Sequence, residues 1–128
     1  MISMVDYAKN FIGTKYKWGG ESPEEGYDCG GFIQELLAST GRDPKGDQTA
    51  QALYNELKET GSKSYNYAGS ILFFGKDVDQ ITHVALAIND RQMIEAAGEG
   101  RVSTTKGMVR IRMIESRKDL VSAIYLGY

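Results

Sequence analysis

The hydrophobic pattern of this 128-residue chain changes its period near the middle. Up to about residue 60, apolar residues recur every three or four positions, which is typical of helices with one buried face. From residue 70 onward, apolar runs and alternating segments follow one another, which is typical of strands. Helices followed by a series of strands predict an α+β fold, in which an antiparallel sheet packs on N-terminal helices. The order of the strands is not readable from this pattern.

Three helices and five strands are predicted. The helices cover residues 2–13 (with Ser3 or Asp6 near the start), residue 29 or 30 to about 39, and residue 47, with Asp47 as N-cap, to about 60. Residues 14–28, rich in glycine, read as a loop. The strands are "SILFFG" (70–75), "ITHVALAIN" (81–89), "QMIEAAG" (92–98), "GMVRIRMI" (107–114) and "LVSAIYLGY" (120–128).

Composition limits the classes of partner. The net charge is -2, the pI is near 5.4 and basic residues form no run, so a nucleic-acid partner is not expected. No apolar run approaches the ~18 residues that a membrane helix needs. The N-terminus lacks a basic stretch followed by an apolar one, so no signal peptide is predicted. The length favours a single domain, residues 1–128.

The chain has one cysteine and one histidine. An internal disulfide is therefore impossible, and a zinc site, which draws on several cysteine and histidine ligands, is disfavoured. We expect neither a metal nor a cofactor.

Cys29 stands where the glycine-rich loop enters the second predicted helix. The positive end of a helix dipole and its unpaired N–H groups stabilise a thiolate, which is the nucleophilic form of cysteine. Gly30 and Gly31 leave the space around the sulfur open, although each disfavours the helix by about 1 kcal/mol. The pattern predicts a reactive cysteine; the alternative is a buried, inert one.

His83 is the candidate base for such a nucleophile. In the strand "ITHVALAIN" it shares one face with Ala85 and Ala87, whereas Val84 and Leu86 point to the other face, toward the core. The small alanines are expected to leave room for the helix of Cys29 to pack close. The alternative is a half-buried strand histidine whose hydrogen bonds are satisfied.

Glu95 is the third candidate. If the strands that contain His83 and Glu95 form a hairpin centred on Asn89, the two residues lie directly opposite each other. The carboxylate could then orient the imidazole and favour its charged form, whereas a slip of one residue would turn Glu95 to the opposite face. The alternative is a surface glutamate near a sheet edge.

With these positions identified, the sequence resembles the NlpC-type cell-wall endopeptidases, which are papain-like cysteine hydrolases. The resemblance lies in five segments that occur in the family's order. They are "YKWGG" (16–20), "DCGGFI" (28–33), "GSILFF" (69–74), "HVALAI" (83–88) and "MIEAA" (93–97).

The resemblance implies a fold and a chemistry. The fold would be papain-like, with the nucleophile at a helix N-terminus, and the substrates would be peptidoglycan stem peptides, cut beside γ-D-glutamate and a diamino acid. Cys29 would attack the amide carbonyl, His83 would carry the proton and Glu95 would be the third residue of the triad. The oxyanion would bind the backbone N–H of Cys29, with the Tyr16 hydroxyl as a second candidate donor. The substrate pocket would be lined by Tyr16, Trp18, Asp28 and Gly30.

The chain departs from the family pattern at three positions. Gly30 replaces a serine, which removes one side-chain hydrogen bond to substrate and changes discrimination. Ser70 replaces an aspartate, which we interpret as a structural change. Glu95 replaces a residue that is usually histidine, asparagine or glutamine, and a buried glutamate without a partner would be costly.

The expected function is that of a peptidoglycan endopeptidase. Without a signal peptide, it would be made in the cytoplasm and reach the wall through a virion, a holin or another route, as in a phage-encoded hydrolase or a domain docked on a phage tail or other assembly. Two alternatives stay open: a non-catalytic structural or binding domain of such an assembly, and a papain-like amidase or acyltransferase acting on another substrate.

Overall fold

The computed structural model describes residues 3–17, 19–22, 24, 26–42, 49–64, 68–98 and 107–127. Helices and strands occur in the predicted order, so the α+β architecture is confirmed. Within these ranges no helix is long and apolar enough to cross a bilayer. The helices are α1 (Met4–Lys9), α2 (Cys29–Ser39) and α3 (Ala50–Leu57), with a short 3-10 helix at Ile114–Ser116. The strands are β1 (Glu21–Ser22), β2 (Gly26–Tyr27), β3 (Ser62–Lys63), β4 (Ser70–Gly75), β5 (Ile81–Ala87), β6 (Gln92–Ala97), β7 (Met108–Met113) and β8 (Leu120–Tyr125).

Each α-helix begins after a side chain that caps its first turn. Ser3 caps α1, which ends at Lys9 and continues as a turn through residue 13. The N-cap of α3 is Thr49, whose backbone is extended and whose hydroxyl accepts the N–H of Ala52 at 3.0 Å. The prediction of Asp47 as this cap was wrong, because threonine caps a helix nearly as well as aspartate and spacing could not separate the two. Asp47 itself lies outside the described residues.

Six strands form one antiparallel sheet in the order β3-β8-β4-β5-β6-β7. The central strand β4 pairs with both β5 and β8, and all six of its residues are buried. Its first residue, Ser70, contacts the hydroxyl of Ser64 at 2.7 Å. The strand β3 and the hairpin β1–β2 were not predicted, because two-residue strands are too short to show a period.

The two faces of the sheet pack differently. On one face, Phe32, Ile33 and Leu36 of α2 join a core with Val84 and Leu86 of β5. On the opposite face, a second apolar cluster contains Leu72, Phe74, Ala85, Ala87, Met93, Ile114 and Ala123. The expectation that Ala85 and Ala87 make room for α2 was therefore wrong, since these alanines pack on the face away from the helices.

The helix α2 packs against β5 and β6. Its N-terminal residue, Cys29, consequently lies beside the start of β5, where the sheet is irregular. Phe74 pairs with His83 but the next residue, Gly75, pairs with Ile81, so that Thr82 is an extra residue in β5. Such a bulge changes the direction of neighbouring side chains. Here Ile81 joins the helix-side core, while Thr82 is exposed and His83 is buried.

Candidate active site

Cys29 is the first residue of α2 and is partly exposed. Asp28 precedes it as the N-cap, with an extended backbone and an Oδ1 atom that accepts the N–H of Gly31 at 2.7 Å. The cap fixes where the helix begins, and with it the position of the sulfur at the positive end of the helix dipole. The predicted placement of Cys29 is confirmed.

The second carboxylate oxygen of Asp28 holds the preceding loop. Its Oδ2 accepts the N–H of Gly19 at 3.0 Å, so one side chain joins the loop to the first turn of α2. Asp28 therefore does more than cap the helix. Asp28 and Gly30 both line a cleft of about 470 Å³ together with Cys29.

Tyr16 forms another wall of this cleft and is buried. Its ring packs so closely on Gly98 that a Cβ at this position would lie 2.6 Å from Cδ2 of the ring. Burial, followed by the negative charges of Cys29 and Asp28, raises the pKa of Tyr16 to about 12. The hydroxyl keeps its proton at neutral pH and can donate a hydrogen bond near the sulfur.

His83 also lines the cleft and is only 7% exposed. Its ring lies 5.6 Å from that of Phe74, within hydrogen-bonding reach of both Cys29 and Glu95. Burial alone would lower the pKa of His83, but the hydrogen bonds and negative charges of Cys29 and Glu95 outweigh it and raise the pKa to about 9. The imidazolium form therefore predominates near neutral pH.

Glu95 meets His83 in a register that differs from the predicted one. The hairpin pairs Leu86 with Ile94 and Ala87 with Met93, so its centre is Asp90. The predicted centre at Asn89, with His83 directly opposite Glu95, was wrong. The partner of each β5 residue lies two positions further along β6 than predicted. A shift of two keeps the side chain on the same face, and the diagonal neighbours of a hairpin remain within reach of long side chains.

The contact between these two residues is short. The Nε2 atom of His83 and the Oε1 atom of Glu95 are 2.6 Å apart, and Glu95 is fully buried. Since Nε2 is engaged by Glu95, Nδ1 is the ring nitrogen left for Cys29. The same three-residue order, nucleophile, imidazole and carboxylate, recurs in triads on unrelated folds.

Two arginines of β7 lie beside the buried carboxylate of Glu95 and help to neutralise its charge. The Nη1 atom of Arg112 lies 3.1 Å from Oε2 of Glu95, and Nε of Arg110 lies 3.4 Å from the same oxygen. Burial raises the pKa of Glu95, but the hydrogen bond and charge of His83 and then the charges of Arg112 and Arg110 bring it below its usual range. Glu95 therefore has charged partners and is not a buried glutamate without a partner, which would be costly.

A third arginine follows β7. The Nε and Nη2 atoms of Arg117 contact the two carboxylate oxygens of Asp119 at 2.9 and 2.8 Å, and the guanidinium lies 5.1 Å from the centre of the Phe74 ring. Arg110, Arg112 and Arg117 all line the cleft. Sequence reasoning missed them as site residues, although the alternation in "GMVRIRMI" put two of them on one face of a strand that pairs with β6.

The structure thus brings together most of the predicted site. Tyr16, Asp28, Cys29, Gly30 and His83 line one cleft, and Glu95 lies behind the imidazole. Trp18, predicted to line the substrate pocket, lies outside the described residues. Within the part of the chain that the structure describes, no three His, Cys, Asp or Glu side chains are grouped as metal ligands would be. The arrangement can deliver a thiolate and a protonated imidazole to an acyl group bound in the cleft.

Comparison with known proteins gives a consistent assignment. The model of the NlpC/P60 family matches residues 13–118. The chain is 33% identical over 100 residues to the bifunctional muramidase/DL-endopeptidase CwlT of Bacillus subtilis (strain 168), covering 77% of this chain and 30% of CwlT. It is 37% identical over 99 residues to the gamma-DL-glutamyl hydrolase of the same organism, covering 73% of this chain and 22% of that protein.

A solved structure agrees with these relatives. The NlpC/p60 domain of the peptidoglycan hydrolase SagA is 31% identical to this chain, with a TM-score of 0.73 and 95% of each chain covered. The chain spans less than a third of the length of the two curated relatives. Since the family model covers most of the sequence and the fold of the SagA domain is the same, this chain belongs to the NlpC/P60 family.

Proposed function

We propose that this domain is a peptidoglycan hydrolase, a cysteine endopeptidase that cuts amide bonds in cell-wall stem peptides. The observation that carries the proposal is the alignment of Cys29, His83 and the buried Glu95, in which one ring bridges a helix-terminal sulfur and a carboxylate. Each part has the place that nucleophilic acyl transfer requires.

The proposed reaction has two stages. The Cys29 thiolate attacks the amide carbonyl carbon, and the resulting oxyanion accepts hydrogen bonds from the Cys29 N–H and the Tyr16 hydroxyl. The His83 imidazolium gives its proton to the leaving amine as the C–N bond breaks, which leaves a thioester on Cys29. Neutral His83 then takes a proton from water, whose oxygen attacks the thioester carbonyl and releases the carboxylic acid and the thiolate.

Glu95 acts on the imidazole and not on the substrate. Its carboxylate holds Nε2 at 2.6 Å and so presents Nδ1 to the sulfur, while its charge favours the imidazolium that the first stage requires. The hydrogen bond and charge of His83, and then the charges of Arg112 and Arg110, keep the pKa of this buried carboxylate low and the group ionised. Glu95, Arg110 and Arg112 are therefore positioning residues in this scheme.

The substrate class is proposed from the relatives. Two of them are named as a DL-endopeptidase and a gamma-DL-glutamyl hydrolase, which suggests an amide formed by the γ-carboxyl of a glutamyl residue. Gly30 offers no side-chain hydrogen bond where the family serine would stand, so we expect less discrimination on that side of the substrate.

Digestion of purified diaminopimelate-type and lysine-type peptidoglycan tests the proposal. Wild type, Cys29→Ala and the control Ser39→Ala, at the other end of α2, are compared, and mass spectrometry identifies the products. We expect new fragments cut within the stem from wild type and Ser39→Ala, and none from Cys29→Ala. No products from any protein, together with slow alkylation of Cys29 by iodoacetamide, would favour a non-catalytic domain. Fast alkylation without products would favour another acyl substrate.

We also propose that the domain acts with targeting parts that it does not itself supply, on its own chain or on an assembly such as a phage tail. In CwlT the matched region is 30% of a longer protein, which motivates the idea. Co-sedimentation of this chain with purified cell walls should show weak retention. Retention as strong as that of a dedicated wall-binding domain would contradict it.

A further inference from the structure

The large sheet ends at β7, and the first half of this edge strand is covered by the loop that follows α1. The N–H of Val109 donates to the carbonyl of Thr14 at 2.8 Å, and the carbonyl of Val109 accepts the N–H of Gly13 at 2.9 Å. Before Gly13 the chain belongs to the turn after α1, and no described residue of that turn bonds to β7. The loop therefore leaves the rest of the edge strand uncovered.

The second half of β7, residues 111–113, is open on its outer side among the residues that the structure describes; we call it the open edge. Backbone groups alternate along an antiparallel strand, so Ile111 and Met113 direct their N–H and C=O groups outward, as Val109 does. The hydroxyl of Ser116 donates to the carbonyl of Met113 at 2.7 Å. Both N–H groups and the carbonyl of Ile111 thus remain available, and such an edge can pair with another strand.

The side chains of this part of β7 differ between the two faces of the sheet. Ile111 and Met113 lie on the helix side, and each is 39% exposed. Arg110 and Arg112 lie on the opposite side, and their side chains are 40% and 30% exposed. The strand itself contains no acidic residue. A strand added here would meet apolar side chains on one face and positive ones on the other.

A second copy of this chain is a poor partner for the open edge. If two β7 strands paired antiparallel about Ile111, each Arg110 would lie opposite the Arg112 of the other copy. Pairing about Arg112 would place the two Arg112 side chains opposite each other, and like charges in such positions destabilise a sheet. The nearby acids give little relief, because Glu95 is fully buried and already shared by both arginines, while Asp28 holds backbone N–H groups of the loop and α2.

We propose that the open edge docks an extended acidic segment of a partner protein, which adds a seventh strand to the sheet. In this segment, acidic side chains alternate with apolar ones. Glutamate or aspartate lies opposite Arg110 and Arg112, and apolar side chains contact Ile111 and Met113. Opposite charges that face each other stabilise a strand pair, and the main-chain hydrogen bonds contribute affinity. Docking at this edge does not depend on endopeptidase activity.

A labelled peptide in which glutamate and valine alternate is the first probe, and fluorescence polarisation measures its binding to the wild-type protein. We expect it to bind at least about tenfold more tightly than a peptide of alternating lysine and valine, in which each arginine meets a like charge. A third peptide carries the same glutamates and valines in two separate blocks and should also bind more weakly. Equal binding of the alternating and block peptides would overturn the proposal, because it would show a non-specific attraction to the arginines.

Hydrogen exchange of single amides, measured by NMR, tests where the peptide lies. Without peptide, the N–H groups of Arg110 and Arg112 face β6 and should be protected, whereas those of Ile111 and Met113 should exchange fast. The alternating peptide should slow exchange at Ile111 and Met113 by at least about tenfold. Binding without this protection would place the peptide elsewhere and reject the added strand. Protection that rises with protein concentration in the absence of peptide would show that a second copy occupies the edge.

Replacing Ile111 by proline removes one outward N–H and takes no hydrogen bond from the β6–β7 pair, because that N–H does not face β6. Proline is tolerated on edge strands in this orientation. Ile111→Pro should abolish binding of the alternating peptide, and the matched control Ile111→Val, which keeps the N–H, should retain it. Undiminished binding to a folded Ile111→Pro protein would contradict the proposal. If this variant folds poorly, the exchange measurement on the wild type still decides the question.

Discussion

Replacing Glu95 by glutamine should lower the pKa of His83, and this chain offers an unusually direct way to measure it. Glutamine has the same shape and can still accept a hydrogen bond from Nε2, but it carries no charge. A hydrogen bond to a charged group contributes about 1.5–3 kcal/mol, against about 0.5–1.5 kcal/mol for a neutral one. Replacing the charged acceptor by a neutral one should therefore weaken the hydrogen bond to the imidazolium by about 1 kcal/mol or more, which corresponds to a fall of about one unit in the pKa of His83.

The pKa of His83 should therefore fall from about 9 in the wild type to about 8 or below in Glu95→Gln. The fall should exceed the hydrogen-bond difference, because Arg110 and Arg112 then face the imidazolium without their carboxylate. Since the folded pKa of His83 is raised above 6.5, the imidazolium stabilises the fold fully below pH 6.5, and this contribution is lost as the pH rises through about 9.

The assay is an NMR titration of the imidazole C2–H. His83 is the only histidine, so its signal needs no assignment. Cys29→Ala, which removes the other negative partner, should also lower the pKa of His83 and serves as a second perturbation if Glu95→Gln folds poorly. A wild-type pKa near 6.5, or a value unchanged in both variants, would refute the argument that Glu95 and Cys29 hold the ring in its charged form.

Three further predictions concern capping, packing and acid stability. Asp28→Ala should lower the free energy of unfolding in urea by about 1 kcal/mol and also reduce cleavage, whereas Ser3→Ala, which uncaps α1, should affect stability alone; equal losses of activity would deny Asp28 a role in the site. Gly98→Ala should displace the Tyr16 ring, which a Cβ would approach to 2.6 Å, and lower kcat in a peptide-cleavage assay; wild-type kcat would show that the position of this ring is not required. Glu95 has a folded pKa below its ordinary 4.5, so its stabilisation is complete above that pH and is lost as the pH falls through the folded value. Urea unfolding at about pH 6 and about pH 3 should show a larger loss for wild type than for Glu95→Gln, and equal losses would contradict this ionisation.

Much of the fold follows from local sequence. The change of period separates the helices from the sheet, and the run "SILFFG" predicts a buried strand, which the structure shows as β4. The two-residue strands escaped prediction because they bury too few side chains to leave a pattern. The cap of α3 was misplaced because two suitable capping residues lie two positions apart.

The candidate nucleophile could also be identified from neighbouring residues in the chain, because the residues at a helix start determine it. Here they are Asp28 as the cap, Cys29 and the two glycines after it. The face of His83 followed from the alternation of a single strand. The alternation of side chains along a strand shows which face of the sheet each one occupies. It does not show which residue of the next strand lies opposite. The pairing of β5 with β6 depends on a three-residue turn, closed by the Asn89 side chain on the N–H groups of Arg91 and Gln92.

The environment of Glu95 was decided by tertiary structure alone. From the sequence, His83 could be predicted as one partner of Glu95, but no arginine could be placed beside the carboxylate. Its two other partners, Arg110 and Arg112, are 15 and 17 residues away along the chain and meet it only because β7 adds to the sheet beside β6. The sequence by itself determined the elements and the residue that can act as nucleophile, since both depend on neighbours in the chain. Only the folded sheet decided which charges surround the imidazole, because electrostatic interactions depend on distance in space.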